Sequence, residues 1–220
     1  MEYDLHIHSK YSHDGVLEPE KIVKIATKRG LDGIAITDHN TRKGGLKAKE
    51  YETDDFKVIV GSEIMTEKGE IIGLFLSEEI KSRDIQSVIS EIKEQNGVVV
   101  IPHPFDKLRR STFRPTKEDV KFIDCVEGFN SRCVFQKYNK KAVEFAIKHN
   151  LTIVAGSDAH FLNEIGNAGI ITETEDIRAA IMTRDVKMFG KKSSITNHVG
   201  TKVSKVIRKY RHLTPEVLRI

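Results

Sequence analysis

Cysteine is scarce in this chain. Among 220 residues there are two, Cys125 and Cys133, and their spacing suits neither a zinc ribbon nor a redox CxxC pair. Apolar residues make up 39% of the sequence but never gather into one long run, which leaves material for a core and excludes a membrane-spanning helix. No glycine-rich loop of the GxGxxG or GxxxxGKS kind follows the first strand-like segment, so a nucleotide-cradling open sheet loses its main signature. No Ser-His-Asp or Cys-His pattern offers a side-chain nucleophile. Met1 leads almost directly into that first segment; with no room for a signal peptide, a reduced cytoplasmic protein is the expectation.

Acidic residues are missing from one region. Lys191, Lys192, Lys202, Lys205, Arg208, Lys209 and Arg211 have no Asp or Glu among them, so the formal net charge of +4 resides at the C-terminal end. What the rest of the chain does have is an alternation of strand and helix signals. Residues 3–7 read as a strand and 18–29 as a helix, with Pro19 in its first turn and Gly30 as a stop. Segments 34–37 and 58–60 read as short buried strands, and 71–76 as another after a turn at 67–70. A helix at 85–95, a strand at 98–101, an exposed basic loop at 106–116, a strand at 123–126 and a helix at about 135–148 follow. Strands at 151–155 and 170–171, a helix near 175–182 and a final basic helix end the series. This rhythm predicts an α/β fold with a mostly parallel sheet. One barrel domain over residues 1–190, with closing elements at 172–190 and a basic helical extension at 191–220 packed on it, accounts for the length.

Chemistry-bearing residues collect at the strand ends. His6 and His8 sit on the first strand, where residues two apart share a face. Asp38-His39, Glu63, His103 and Asp158-Ala159-His160 each close a later apolar run. Singly, each has an ordinary structural explanation as a buried pair, a turn or a cap. Together they would bury unpaired charges at great cost unless something binds them. Imidazoles and carboxylates converging from several strand ends suit a polynuclear metal site. A closed barrel, whose strand ends share one mouth, accommodates this better than an open sheet.

Five ordered segments carry a further likeness: Asp4-Leu5-His6-Ile7-His8-Ser9, Ile36-Thr37-Asp38-His39-Asn40, Gly61-Ser62-Glu63, Pro102-His103-Pro104 and Gly156-Ser157-Asp158-Ala159-His160. They resemble the motifs of the PHP (polymerase and histidinol phosphatase) family over about residues 3–172. Residues 127–132, Glu-Gly-Phe-Asn-Ser-Arg, resemble a region associated with its small stand-alone members. The resemblance implies a distorted (βα)7 TIM-like barrel with two or three divalent ions, Zn, Mn or Fe, at the C-terminal mouth of the strands. It implies a first position held by His6, His8, Glu63 and Asp158, and a second by the bridging Glu63 with His103. A third would use His39, His160 and a ligand from the turn after the first strand, with His13 in the expected register and Asp14 in reserve. Many members place a histidine on the strand after the bridging glutamate; here Glu70-Ile71-Ile72-Gly73-Leu74 stands there, and Ile72 cannot bind a metal.

The implied reaction is phosphoester hydrolysis by a hydroxide bridging two ions, with Asp158 and His160 sharing its proton and His39 assisting the leaving group. The substrate would be a phosphomonoester or a short oligonucleotide end. Its phosphate requires fixed cations, for which Arg132, Arg109, Arg110, Arg114 and Lys43 are the candidates. The rival readings are a non-catalytic RNA-binding subunit, like the related barrel protein of archaeal ribonuclease P, and a C–N-cleaving amidohydrolase barrel. Retention of His6, His8, His39, Glu63, His103, Asp158 and His160 separates the first from an enzyme, and the lack of a bridging lysine argues against the second. In the basic tail, Val199, Val203, Val206 and Ile207 form an apolar stripe that predicts a docked helix. Nucleic-acid contact through its seven cations is the competing use.

Overall fold

The computed structural model describes the backbone of residues 1–210 and the side chains of residues 1–203. Strand β1 (Glu2–Ile7) is buried on both faces from Tyr3 onward, with Tyr3, Leu5 and Ile7 on one face and Asp4 and His6 on the other. It pairs in parallel with β2 (Gly33–Ile36), which pairs in parallel with β3 (Lys57–Thr66). The chain then turns back at Glu67-Lys68, so β4 (Gly69–Leu74) runs antiparallel to β3, with Glu63 opposite Ile72 and Met65 opposite Glu70. Strand β5 (Val98–Ile101) is antiparallel to β4; β6 (Cys125–Asn130) and β7 (Thr152–Gly156) continue in parallel. On the other side of β1, β8 (Ala168–Ile171) and β9 (Lys187–Gly190) add antiparallel strands.

The nine-strand order is β7-β6-β5-β4-β3-β2-β1-β8-β9. Its two ends meet. Ile7 bridges Ala159 just beyond β7, and the His8 N–H donates to the Ala159 carbonyl at 2.9 Å. The result is the expected α/β barrel, nearly closed, although antiparallel β4, β8 and β9 replace a strict strand-helix repeat. Closure at Ile7 and Ala159 sets His6-His8 beside Asp158-His160, so the same backbone bonds that complete the ring also assemble the site.

Helices cover the outside. α1 (Pro19–Lys28) buries Ile22, Val23 and Ala26; Ile22 and Val23 each contribute about 1.5–3 kcal/mol. α3 (Ile85–Glu94) starts under an Asp84 cap that accepts from the Ser87 N–H at 2.9 Å. α4 (Gln136–His149) and α5 (Ile177–Thr183) follow β6 and β8. Among the described residues no helix is long and apolar enough to cross a membrane.

Helix α2 (Lys43–Lys49) was hidden in the sequence by Gly44-Gly45, since each interior glycine costs a helix about 1 kcal/mol. The structure shows why glycine is there. A Cβ on Gly44 would lie 1.9 Å from Asp38 Oδ2 and 2.2 Å from Ser9 Oγ, and the Asp38 carboxylate is already fixed by the Ser9 N–H and hydroxyl, each at 2.6 Å. Gly44→Ala is therefore expected to lower stability by roughly 1–3 kcal/mol through overpacking; an unchanged denaturation midpoint would contradict this contact.

α6 (Ile195–Tyr210) corrects the expected docking face. Thr201 is buried and Gly200 abuts Phe161, whereas Val199 and Val203 are 59% and 50% exposed. The helix docks through small and polar positions between the valines, because the surface beneath it presents Phe161 and Arg132. The side chains of Lys205, Val206, Ile207, Arg208 and Lys209, and the whole of Arg211, lie outside the described residues.

Candidate metal centre

Eight strand-end and turn residues bring their donor atoms to one point in the barrel mouth. His6 Nε2 and His8 Nε2 are 3.1 Å apart. Glu63 Oε2 lies 3.6 Å from the first, 3.4 Å from the second and 3.2 Å from His39 Nδ1, while its other oxygen is 3.0 Å from His103 Nε2. Asp158 Oδ1 lies 3.4 Å from His8 and 3.8 Å from His6. His160 Nε2 and His39 Nε2 approach Asp14 Oδ2 at 3.1 and 3.4 Å. Groups of three donors within 4.8 Å of one another include His6/His8/Asp158, His6/Glu63/His103 and His8/Asp14/His160.

A divalent cation fits this donor set. Asp158 Oδ1 is a buried carboxylate oxygen with no hydrogen bond, and two imidazole nitrogens face each other at bonding distance. Burial alone would raise the Glu63 and Asp158 carboxyls, but His39 and His6 hold Glu63 well below the usual range, and Arg109 and His6 do the same for Asp158. Burial, together with His160 and His39, pushes His8 down to about 3, so its ring is neutral and carries a lone pair. Burial opposes protonation of His39, yet Glu63 and Asp14 raise it to about 9; a bound ion would displace such a proton.

Outer groups aim the donors. Glu127 Oε1 holds His6 Nδ1 at 2.9 Å and so turns Nε2 inward, while Oε2 accepts from the His103 N–H at 2.7 Å. His160 Nδ1 is tied to the Asp158 carbonyl at 2.9 Å, which points Nε2 at Asp14. Asp38 faces Ser9 and not the cluster, so only the second residue of that motif reaches the site. His103 and Asp158 have φ of +31° and +54°, a left-handed backbone that costs side-chain-bearing residues about 1–3 kcal/mol each.

Several expected positions are revised. His13 is 62% exposed, with its ring tilted beside His39, and it still forms a donor group with Asp14 and His39 within 4.8 Å; Asp14 is 3% exposed and approaches both His39 and His160. The tight turn, in which Ser12 Oγ donates to Asp14 Oδ1, directs the aspartate inward. Glu70 fills the place where a histidine seemed to be missing. Its oxygens lie 3.6 Å from His39 Nδ1 and 3.6 Å from His103 Nε2, and burial next to Glu63 raises its pKa. Because β4 runs antiparallel, its first residues lie at the mouth and Ile72 sits deeper, in the core. Asn130 donates to Glu127 and Asp158 and serves as a hydrogen-bonding group.

The cluster floors a cavity of about 610 Å³ lined also by Arg109, Arg110, Arg132 and residues of α6. Arg109 Nη2 donates to Asp158 Oδ2 at 2.5 Å. Arg110 is exposed at the cavity wall. Arg132 lines the cavity but is itself buried, with Nη1 on Glu164 at 3.0 Å and Nη2 on Thr201 Oγ1 at 2.9 Å. Arg132→Ala should cost about 3–5 kcal/mol by leaving Glu164 buried and unpaired. Denaturant unfolding reads this directly, and a loss below 1 kcal/mol with a raised KM would return Arg132 to substrate binding. Lys43 and Arg114 are exposed and lie outside the cavity lining.

A barrel whose strand ends deliver imidazoles and carboxylates to one shared mouth belongs to the class built around a metal centre. The chain belongs to the PHP domain family, whose model matches residues 4–192. An uncharacterised protein of Methanocaldococcus jannaschii is 47% identical over 120 residues, covering 49% of this chain and 70% of its own length. A second from that organism is 38% identical over 176 residues, covering 77% and 70%. Among solved structures, a two-domain Bacteroides vulgatus protein, described as containing a predicted PHP-like metal-dependent phosphoesterase, matches with a TM-score of 0.73 at 21% identity. The match covers 87% of this chain and 65% of that one.

Proposed function

We propose that this protein is a metal-dependent phosphoesterase acting on a phosphomonoester or a short nucleotide phosphoester. The observation that carries the reading is Glu63, whose two oxygens face separate histidine groups, as a carboxylate shared by two ions must. His6, His8, Glu63 and Asp158 would hold one ion, and Glu63, His103 and Glu70 a second. Asp14, His39 and His160 would hold a third. Such ions supply Lewis-acid activation of water and neutralise phosphoryl charge. Glu70 makes the donor set richer in oxygen than the sequence implied, which favours Mn or Fe over Zn.

The chain's own residues then divide the remaining work. Asp158, held by Arg109 and Asn130 on one oxygen, keeps the other aimed at His6 and His8. Arg109 and Arg110 place positive charge where a phosphate would enter. His160 Nε2 and His39 Nε2 converge on Asp14 Oδ2 at 3.1 and 3.4 Å, so with a third ion they would stand on the side from which the alkoxide departs. The test is phosphate release with Mn, Fe or Zn from histidinol phosphate, a nucleoside bisphosphate, p-nitrophenyl phosphate and a short 5′-phosphorylated RNA. Chelator-sensitive turnover of at least one is expected; none, with metal demonstrably bound, would overturn the proposal.

A further inference from the structure

One wall of the cavity comes from outside the residues that match the family model, which end at 192. Ile195, His198, Val199 and Lys202 of α6 line the same space as the donor cluster. The helix is fastened there from below. The Ser193 N–H donates to the Ser131 carbonyl at 2.9 Å, Arg132 holds Thr201, and a Cβ on Gly200 would come within 2.9 Å of Phe161 Cζ. With its small and polar face spent on docking, α6 leaves Ile195 and Val199 exposed at 69% and 59%. In the same lining, Leu108 is 59% exposed on the loop that also carries Arg110. A space of about 610 Å³ is far larger than a phosphoryl group needs and lies in the range of whole-ligand pockets.

We propose that α6 forms the leaving-group subsite of this centre, taking an alcohol that has an apolar face and a second negative charge. The inference rests on the phosphoesterase reading and deepens it. Ile195 and Val199, with Leu108, would cover the apolar face, and Lys202, with Arg110, would meet the second charge. The phosphoryl end would stay with the donor cluster, so these α6 residues act on specificity and not on bond cleavage.

The test compares 4-carboxyphenyl phosphate, phenyl phosphate and glycerol 2-phosphate on the metal-loaded full chain. KM should rise in that order. Lys202→Gln should raise KM for the carboxylated ester about tenfold, as loss of one charge-assisted contact implies, with a much smaller change in kcat, so that the two aryl KM values converge. Val199→Asp should raise KM for both aryl esters and narrow their advantage over the glycerol ester. Lys140→Gln on α4, a charge control at a 78% exposed side chain, should leave the KM ratios as in the wild type. KM values that do not differ among the three esters, or that move equally in the α6 variants, would overturn the subsite. Should none of these three esters be hydrolysed, the phosphoesterase reading is decided by the panel given above, and calorimetry of 4-carboxyphenyl phosphate decides the subsite: tighter binding than phenyl phosphate, lost in Lys202→Gln, sustains it, and equal binding removes it.

Discussion

Asp158→Asn should reduce phosphate release by about a thousandfold or more while leaving the protein folded. The side chain is buried at the junction where β7 closes onto β1, and its Oδ1 faces His6 and His8 with no hydrogen bond of its own. An amide of the same shape keeps the packing but removes the negative charge that would hold an ion. Losing ~4 kcal/mol of charge stabilisation corresponds to that thousandfold fall. It also takes from Arg109 one of its two carboxylate partners, leaving Asp106, which is a second reason for the loss. Circular dichroism should match the wild type. Turnover within a few-fold of wild type, with the metal content unchanged, would remove Asp158 from the site.

The second large effect is on stability. Six carboxylate and imidazole side chains, Glu63, Asp158, His6, His8, His103 and Asp14, are buried together at the mouth, an arrangement that a folded chain holds at a cost unless cations neutralise it. An ion present at a hundred times its dissociation constant stabilises by about 2.7 kcal/mol. For a chain of this length that is about 5–10 °C in Tm for each ion. Adding Mn to chelator-treated protein should therefore raise Tm by at least this amount, and the rise should shrink in Asp158→Asn. A Tm that ignores metal would mean that the cluster is satisfied by protons alone.

How much of this was legible before folding depended on the kind of signal. His6 and His8 are two apart on a strand, so their shared face follows from the pleat alone. The barrel rhythm and the apolar strands followed from short-range pattern. Glu70 did not, because its place at the mouth depends on β4 running backward against β3, and a reading that expects ligands after a strand looks to the wrong end. His13 and Asp14 are neighbours, and only the hydrogen bonds of the turn decide which of them faces inward. Arg132 could not be read as an anchor from sequence, since its partners Glu164 and Thr201 are 32 and 69 residues away. The valines of α6 reproduced an amphipathic period, but the docking surface selected Gly200 and Thr201 instead.

One titration tests the account most directly. Metal-free protein would be loaded stepwise with Mn, and bound metal and phosphate release followed in the same samples. The shared Glu63 predicts that turnover stays near zero through the first equivalent and appears as the second binds. Full turnover in metal-free protein, or two bound equivalents with no turnover of any phosphate ester, would contradict it.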